Sequence, residues 1–274
     1  MRHTGHTERP REEEHLKMMS KPTVLISNDD GVHAPGLLAL KRALEKIGNV
    51  FVLAPDHNWS ASGHTKTMHK PLRVKPVQLD DGSQALACSG APSDCVALGL
   101  LGVLPRMPDL VVSGINPGSN LGLDVTYSGT VSAAWEAVVT HIPAIAVSLG
   151  AGENLDFTFA ADYAANLALR VLHMKPAQPM LLNLNVPNLP AEEITGVEIT
   201  RLGQLTYHDV LEERRDPRGR NYYWIGGDQP PTAILEPGTD VAALAQGKVS
   251  ITPIQLDLTN HSLIKELRHW KLSL

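Results

Sequence analysis

The sequence predicts an α/β protein with a Rossmann-like, doubly wound and mostly parallel sheet, a C-terminal extension and a projecting β-hairpin. Five apolar runs lack the polar alternation of half-exposed strands, which is typical of parallel strands covered by helices on both faces. Segments with apolar residues at helical spacing separate these runs, and this β-α-β-α order favours a doubly wound fold. The 274 residues suffice for one large core with an appendage.

Predicted strands and helices alternate as far as residue 187, so residues 21–187 make up the predicted α/β core. The strands are residues 23–27, 50–55, 109–114, 143–148 and 180–187. The helices are residues 36–48, 93–104, 129–141 and 157–172. In the first helix, Leu37, Leu40 and Leu44 recur at helical spacing, and Gly48 provides the usual C-terminal stop.

The C-terminal part, residues 188–274, is predicted to be an oligomerisation segment. A turn sequence at residues 216–219 centres a hairpin with four aromatic residues, Tyr207, Tyr222, Tyr223 and Trp224. The hairpin fits either an arm that packs against another subunit or an edge hairpin that covers its own core, and the residues leave both open. Residues 261–274 place apolar side chains on one helical face, which predicts a terminal helix that docks.

The first twenty residues are charged and lack the apolar segment of a secretory signal. We expect residues 1–20 to be a disordered tail, or to precede the true start at Met18 or Met19. No run reaches the roughly 18 apolar residues that a membrane span needs. A cytoplasmic protein without a membrane partner is therefore expected.

Charge and cysteine content exclude several classes of protein. The net charge of −5 and the lack of a long basic run argue against a nucleic acid polymer as partner, whereas a nucleotide-sized anion remains compatible. The two cysteines, Cys88 and Cys95, form neither a disulfide framework nor the CxxC spacing of a zinc site. We expect both to be buried thiols.

Three polar loops follow predicted strands and indicate where a ligand binds. Ligands of open α/β sheets lie beyond the carboxyl ends of the strands. The loops are residues 28–31, 56–63 and 113–122, the last of which continues to residues 127–130. All three are expected to meet at one edge of the sheet.

Asp29 and Asp30 stand side by side in the first loop. A single aspartate there is usually a helix cap. Two of them, followed by Gly31 with its access to positive φ, can face one point, and such close like charges require a cation or a shared proton. The hydroxyl of Ser60 and the amide oxygen of Asn116 supply further oxygen ligands at strand ends. The four residues predict a site for one hard divalent ion, Mg²⁺ or Mn²⁺.

The sequence YSGTV predicts an anion site beside this metal site. Ser128, Gly129 and Thr130 precede an apolar helix, whose free N–H groups suit a phosphate. The alternative, an ordinary N-cap, is compatible with that role. Neither a Walker A sequence nor a GxGxxG follows a strand, which disfavours ATP-driven chemistry and dinucleotide binding. Among the histidines near these loops, His64 is the best candidate for a phosphate contact or proton transfer.

The motifs ISNDDGVHAPG, APDHNWSASGHTKT, SGINPGSNLG and YSGTVSAAWEA together resemble the survival protein E (SurE) family of metal-dependent nucleotidases. The resemblance extends from about residue 22 to the C-terminal segments DPRGRNYYWIGG and GTDVAALAQGKVSITPI. It implies Asp29, Asp30, Ser60 and Asn116 as metal ligands, and nucleoside monophosphates, with polyphosphate for some members, as substrates. It also implies homodimers or homotetramers, which favours the arm interpretation of the hairpin.

The sequence-based hypothesis is phosphomonoester hydrolysis by metal-activated water, as in a 5′-nucleotidase that also acts on 3′-nucleotides or polyphosphate. Asp29 or Asp30 takes the proton of the water, and the sequence leaves open which. A second mechanism is an aspartyl-phosphate phosphatase, although Gly31 stands where the acid of such enzymes is expected. A different class is a non-catalytic nucleotide- or metal-binding oligomeric module.

Overall fold

The computed structural model describes residues 21–174, 178, 180–226, 231–270 and 272. The predicted N-terminal tail lies outside these residues. One sheet of nine strands dominates the described chain, in the order β3-β4-β2-β1-β5-β6-β7-β13-β8. Its strands are β1 Thr23–Ser27, β2 Asn49–Pro55, β3 Val74–Gln78, β4 Gln84–Cys88, β5 Leu110–Pro117, β6 Ala144–Leu149, β7 Leu181–Val186, β8 Gly196–Ile199 and β13 Lys248–Ile254.

Smaller elements surround this sheet. Four short strands form two separate pairs: β9 Gln204–Thr206 with β12 Thr232–Ile234, and β10 Val210–Arg215 with β11 Asn221–Gly226. The α-helices are α1 Pro35–Leu44, α2 Pro92–Leu98, α3 Gly129–Val139, α4 Thr158–Met174, α5 Asp240–Ala245 and α6 His261–Leu267.

The central sheet is parallel from β4 to β7, which confirms the predicted fold class. Antiparallel neighbours occur toward the margins of the sheet, between β3 and β4 and between β7 and β13. All five residues of β1 are buried. Val24 and Ile26 pack with α1 and α4, while Leu25 packs on the opposite face with α2 and α3. The unalternating apolar pattern therefore reflects two covered faces, each stabilised by hydrophobic burial.

The structure adds strands that the apolar runs did not indicate. Strands β3 and β4 form an antiparallel hairpin beside β2, and their polar residues fit a margin of the sheet. Beyond residue 187, β13 pairs with β7 and β8 pairs with β13. The sheet thus extends past the predicted boundary, and the residues after 187 divide between this sheet and the projecting elements.

Strands β10 and β11 form the projecting hairpin. They pair with each other, and every residue of both strands is exposed. Hence the hairpin does not cover the core of its own chain. The terminal helix α6 also has no buried residue within the described chain. Its expected docking surface is therefore absent from the part of the chain that the structure describes.

The first turn of α1 packs directly on the end of β5. A Cβ atom on Gly36 would lie 2.1 Å from the backbone oxygen of Ile115. Although alanine normally favours a helix over glycine by about 1 kcal/mol, we expect Gly36→Ala to lower the free energy of unfolding by about 1–3 kcal/mol through overpacking. Urea denaturation measures this change. The matched control is Gly226→Ala, where an added Cβ meets no atom within 4 Å; equal stability of Gly36→Ala and wild type would contradict the packing.

Candidate active site

Three loops meet at the carboxyl ends of β2, β1 and β5, which are neighbours in the sheet. Backbone hydrogen bonds join them. The N–H of Trp59 donates to the oxygen of Asp29 at 2.7 Å, and the N–H of Gly63 donates to the oxygen of Tyr127 at 2.9 Å. The predicted convergence of these loops is confirmed.

The turn after β1 is organised by Asn28. Its side-chain amide donates to the backbone oxygen of Gly31 at 3.0 Å, and its side-chain oxygen accepts from the N–H of Gly31 at 3.2 Å. Gly31 has φ +107, a conformation that L side chains rarely adopt. This value confirms the positive φ predicted for Gly31. Asp29 and Asp30 lie within the turn, between Asn28 and Gly31.

The carboxylate of Asp29 lies at the N-terminus of α3. It accepts a hydrogen bond from the hydroxyl of Thr130. Gly129 permits this approach, because a Cβ atom there would lie 2.6 Å from the Cβ of Asp29. Ser128 is the N-cap of the helix, and its hydroxyl oxygen accepts from the N–H of Val131 at 3.1 Å. Thr130, predicted as a phosphate ligand, thus holds a carboxylate in this structure.

Burial perturbs both aspartates. Desolvation raises the pKa of Asp29 against the opposing effect of the hydrogen bond from the Thr130 hydroxyl. Desolvation, and then the charge of Asp29, raise the pKa of Asp30 from 3.8 to about 6. The Oδ2 atom of Asp30 is buried and has no hydrogen-bond partner among the described residues. An unpartnered buried oxygen beside a second carboxylate fits a cation site.

Ser60 and Asn116 lie at the ends of the two strands that flank β1. Ser60 donates both its N–H and its hydroxyl to the side-chain oxygen of Asn58, each at 2.7 Å. The amide nitrogen of Asn58 lies 3.5 Å from Asp30 Oδ1 and so connects Ser60 to the acidic turn. The amide nitrogen of Asn116 donates to the oxygen of Gly118 at 2.6 Å, which leaves its amide oxygen for a cation.

The donor set therefore consists of oxygens. Among the described residues, no group of three or more His, Cys, Asp or Glu side chains is arranged to hold a metal ion. An ion at Asp29 and Asp30 must complete its coordination with hydroxyl, amide or water oxygens, which suits Mg²⁺ or Mn²⁺ better than zinc. The residues present fit a hard divalent ion.

His64 contacts Glu136 on α3. Its Nε2 atom lies 2.9 Å from Glu136 Oε2, and its ring stacks on Trp135 with 5.9 Å between the centroids. Lys66 donates to the other carboxylate oxygen at 2.8 Å. Burial opposes ionisation of Glu136, but the hydrogen bonds from His64 and Lys66 outweigh it and lower its pKa. In this structure the Nε2 atom of His64 is paired with Glu136. A role for His64 at the phosphate stays a prediction.

Sequence reasoning did not single out Asn58 or Glu136. Asn58 stands in a loop where asparagine usually serves a turn. Glu136 carried a usable signal, since an acidic residue within the apolar stretch VSAAWEAVV needs a buried partner. Its distance of seven residues from Gly129, about 10 Å along a helix, places it two turns from the acidic pair.

The fold and the site define a Rossmann-like α/β protein with an acidic turn at a helix N-terminus. The sequence profile described as "Survival protein SurE" matches residues 24–209. The chain is 53% identical over 246 residues to a protein named 5'-nucleotidase SurE from Herpetosiphon aurantiacus, covering 89% of this chain and 96% of that protein. It is 49% identical over 250 residues to the protein of the same name from Chloroflexus aggregans, at 90% and 98% coverage.

A solved structure supports the same assignment. The crystal structure of the SurE protein from Aquifex aeolicus superimposes with a TM-score of 0.78 at 41% sequence identity. The match covers 92% of this chain and 100% of that chain. This chain belongs to the SurE family, which confirms the resemblance seen in the four motifs.

Gly129 supplies a direct test of the acidic site. We expect Gly129→Ala to displace Asp29, because the added methyl group meets backbone-anchored atoms of that residue and not a flexible chain end. Binding of Mn²⁺, measured by isothermal titration calorimetry, should weaken roughly 10- to 100-fold, the loss of metal affinity that follows when the surroundings of a metal ligand are disturbed. Val139→Ala on the exposed side of the same helix is the control. Wild-type Mn²⁺ affinity in Gly129→Ala would contradict the geometry.

We expect Asp30 to lower the free energy of unfolding of the metal-free protein at pH values above the ordinary pKa of an aspartate, 3.8. Because its pKa is raised from 3.8 to about 6, the folded state holds this proton more tightly than the unfolded chain does. Stability therefore falls as pH rises from about 4 to about 6, and the penalty is fully present at higher pH. We expect Asp30→Asn to raise the melting temperature in chelator at pH 7.5, with little gain near pH 4.

The control for this measurement is Asp80→Asn, which changes an exposed aspartate of the β3–β4 turn. It should leave the melting temperature unchanged at both pH values. A lower melting temperature for Asp30→Asn at pH 7.5 would show that the pair is not repulsive without metal.

Proposed function

We propose that this protein is a divalent-metal-dependent 5′-nucleotidase that hydrolyses the phosphomonoester of nucleoside monophosphates. The observation that carries the proposal is the acidic pair at the N-terminus of α3. Asp29 is buried, and half-buried Asp30 has a carboxylate oxygen without a hydrogen-bond partner among the described residues. The names of the relatives from Herpetosiphon aurantiacus and Chloroflexus aggregans, at about half identity over nine tenths of the chain, support it.

Asp29, Asp30, Ser60 and Asn116 would hold one divalent ion, and Mg²⁺ and Mn²⁺ match their oxygen donors. When bound, such an ion neutralises charge on the phosphate and lowers the pKa of water. Thr130 fixes Asp29 through the hydrogen bond from its hydroxyl. Asp30 lacks this restraint among the described residues, and its unpartnered Oδ2 would serve the ion. Either aspartate could take the proton of the attacking water.

The remaining residues seat the phosphate. The first N–H groups of a helix lack intrahelical acceptors and favour an anion. Gly129 presents such an N–H beside the acidic pair, and the hydroxyl of Ser128 lies at the same end of α3. Burial of Gly129, Ser128 and Thr130 excludes water from one side of the phosphate and strengthens these contacts.

The wider activity and the assembly follow the same proposal. We assign 3′-nucleotides and polyphosphate as further substrates, and a homodimer or homotetramer in which the projecting hairpin packs on another subunit. The exposed Leu211, Trp224 and Ile225 give that hairpin an apolar surface. Helices of membrane-spanning length and hydropathy are absent from the described residues. The cytoplasm is the proposed location.

The decisive experiment measures phosphate release from AMP and from p-nitrophenyl phosphate with Mn²⁺, Mg²⁺ or chelator. Wild type should turn over both with metal and neither with chelator. Asp29→Asn should lose activity at least about 10³-fold while retaining the wild-type circular dichroism spectrum, because a neutral amide removes half of the charge that holds the ion. The control is Asp56→Asn, at the end of β2, whose carboxylate pairs with exposed His57 at 2.6 Å.

Other outcomes reject the proposal in defined ways. Full activity in Asp29→Asn would remove the acidic pair from the mechanism. No turnover by wild type with any metal would assign a non-catalytic binding module. A trapped phosphoaspartate would assign the covalent mechanism. A panel of 5′- and 3′-monophosphates and polyphosphate then defines the preferred substrate.

A further inference from the structure

Asp240 is a fully buried carboxylate that lies outside the acidic pair. It occupies the first position of α5. Its Oδ2 accepts from the N–H of Gly122 at 2.9 Å, and its Oδ1 accepts from the N–H groups of Gly203 at 2.7 Å and Val241 at 2.8 Å. One carboxylate thus joins three segments of the chain. Hydrogen bonds to a buried charge are among the stronger ones, and breaking them leaves buried donors unpaired.

The segment that contains Gly122 leads into the candidate active site. A 3₁₀ turn spans Gly122–Thr126, and Tyr127 connects it to the N-cap Ser128. Two residues further on, Thr130 holds Asp29. The position of the 3₁₀ turn therefore sets where the N-terminus of α3 meets the acidic pair.

The contact around Asp240 is close on every side. A Cβ atom on Gly122 would lie 2.6 Å from the oxygen of Gly203, and Gly122 has φ +52. A Cβ atom on Gly203 would lie 3.0 Å from Asp240 Oδ1. The two glycine backbones therefore pack against each other and against the carboxylate, with no space for a side chain between them.

Two further contacts tie the same turn to other elements. The hydroxyl of Tyr207, just before the hairpin strand β10, donates to Asp124 within the 3₁₀ turn. On the other side, the N–H of Asn120 donates to the side-chain oxygen of Asn185 on β7 at 2.8 Å. The turn is thus held between β7 and the base of the projecting hairpin, and Asp240 is the fully buried carboxylate that contacts it.

We propose that Asp240 is a positioning residue for the active site: it holds the 3₁₀ turn, and through it Ser128, Gly129 and Thr130, in register with Asp29. The effect on turnover rests on the proposed nucleotidase function, while the effect on the turn does not. Through Gly203, the same carboxylate fixes the chain that leads into the hairpin.

Asp240→Asn tests the proposal with little change in volume. The amide retains one acceptor oxygen, but its NH₂ group must face an N–H donor at either Gly122 or Gly203. We expect hydrogen–deuterium exchange of residues 118–130 to accelerate at least tenfold, while peptides from β1 and β6 stay protected. With AMP, kcat should fall roughly 10- to 100-fold, since misplacement by about an ångström has effects of this size.

Thr239→Ala is the matched control. It removes the N-cap of the same helix, where the Thr239 hydroxyl oxygen accepts from the N–H of Ala242 at 3.2 Å, but leaves the Asp240 contacts in place. It should lower the melting temperature without accelerating exchange at residues 118–130, and kcat should stay within twofold of wild type. Equal acceleration in both variants, or none in Asp240→Asn, would overturn the proposal.

Tyr207→Phe provides a second variant if Asp240→Asn does not fold. It removes one hydroxyl from an exposed residue and should accelerate exchange in residues 122–130 to a smaller extent. Wild-type exchange there would show that the contacts made to the 3₁₀ turn do not fix its position, which would overturn the proposal. Absence of turnover in wild-type protein would reject the nucleotidase function alone, because the exchange measurement still decides the positioning role.

Discussion

The carboxylate of Asp29 at the N-terminus of α3 is the interaction on which the site depends. It brings the end of β1 against a helix that follows β5, although the two residues in contact are 101 positions apart in the chain. Gly129 makes the approach possible, because any larger residue would occupy the space of the aspartate side chain. The helix N-terminus offsets part of the cost of burying the charge. Thus one contact links the central sheet, the acidic turn and the N-terminus of α3.

The remaining cost of burial is what makes this place suitable for a cation. A protein selected for stability alone would replace one aspartate with a neutral residue, since half-buried Asp30 lacks the hydrogen bond that Thr130 gives to Asp29. The residues proposed to complete a cation site beside the pair, Ser60 and Asn116, carry neutral oxygens. Neutral ligands leave positive charge on a bound ion, and that residual charge is useful for polarising a phosphate. Stability and chemistry therefore have opposite requirements at Asp30.

The parts of the molecule that sequence reasoning anticipated share a local signal. The unalternating apolar runs identified β1, β2, β5, β6 and β7, and the strand-end rule then selected the loops that carry Asp29, Ser60 and Asn116. Strands β8 and β13 were not predicted, because the strands they pair with are distant in the sequence and their polar residues resemble an exposed segment. The contacts Thr130–Asp29 and His64–Glu136 could not be predicted for a related reason. Side chains 72 or more residues apart carry no spacing signal.

The position of Asp240 in the chain also determines when the active site can form during protein synthesis. A ribosome has produced β1, both aspartates and α3 once it reaches Val139, about halfway along the chain. The carboxylate that fixes the turn before α3 arrives about a hundred residues later, together with β13, which closes the gap between β7 and β8. A nascent chain therefore carries the acidic residues long before it can hold them in register. Activity is acquired late, when the C-terminal segment has emerged and docked.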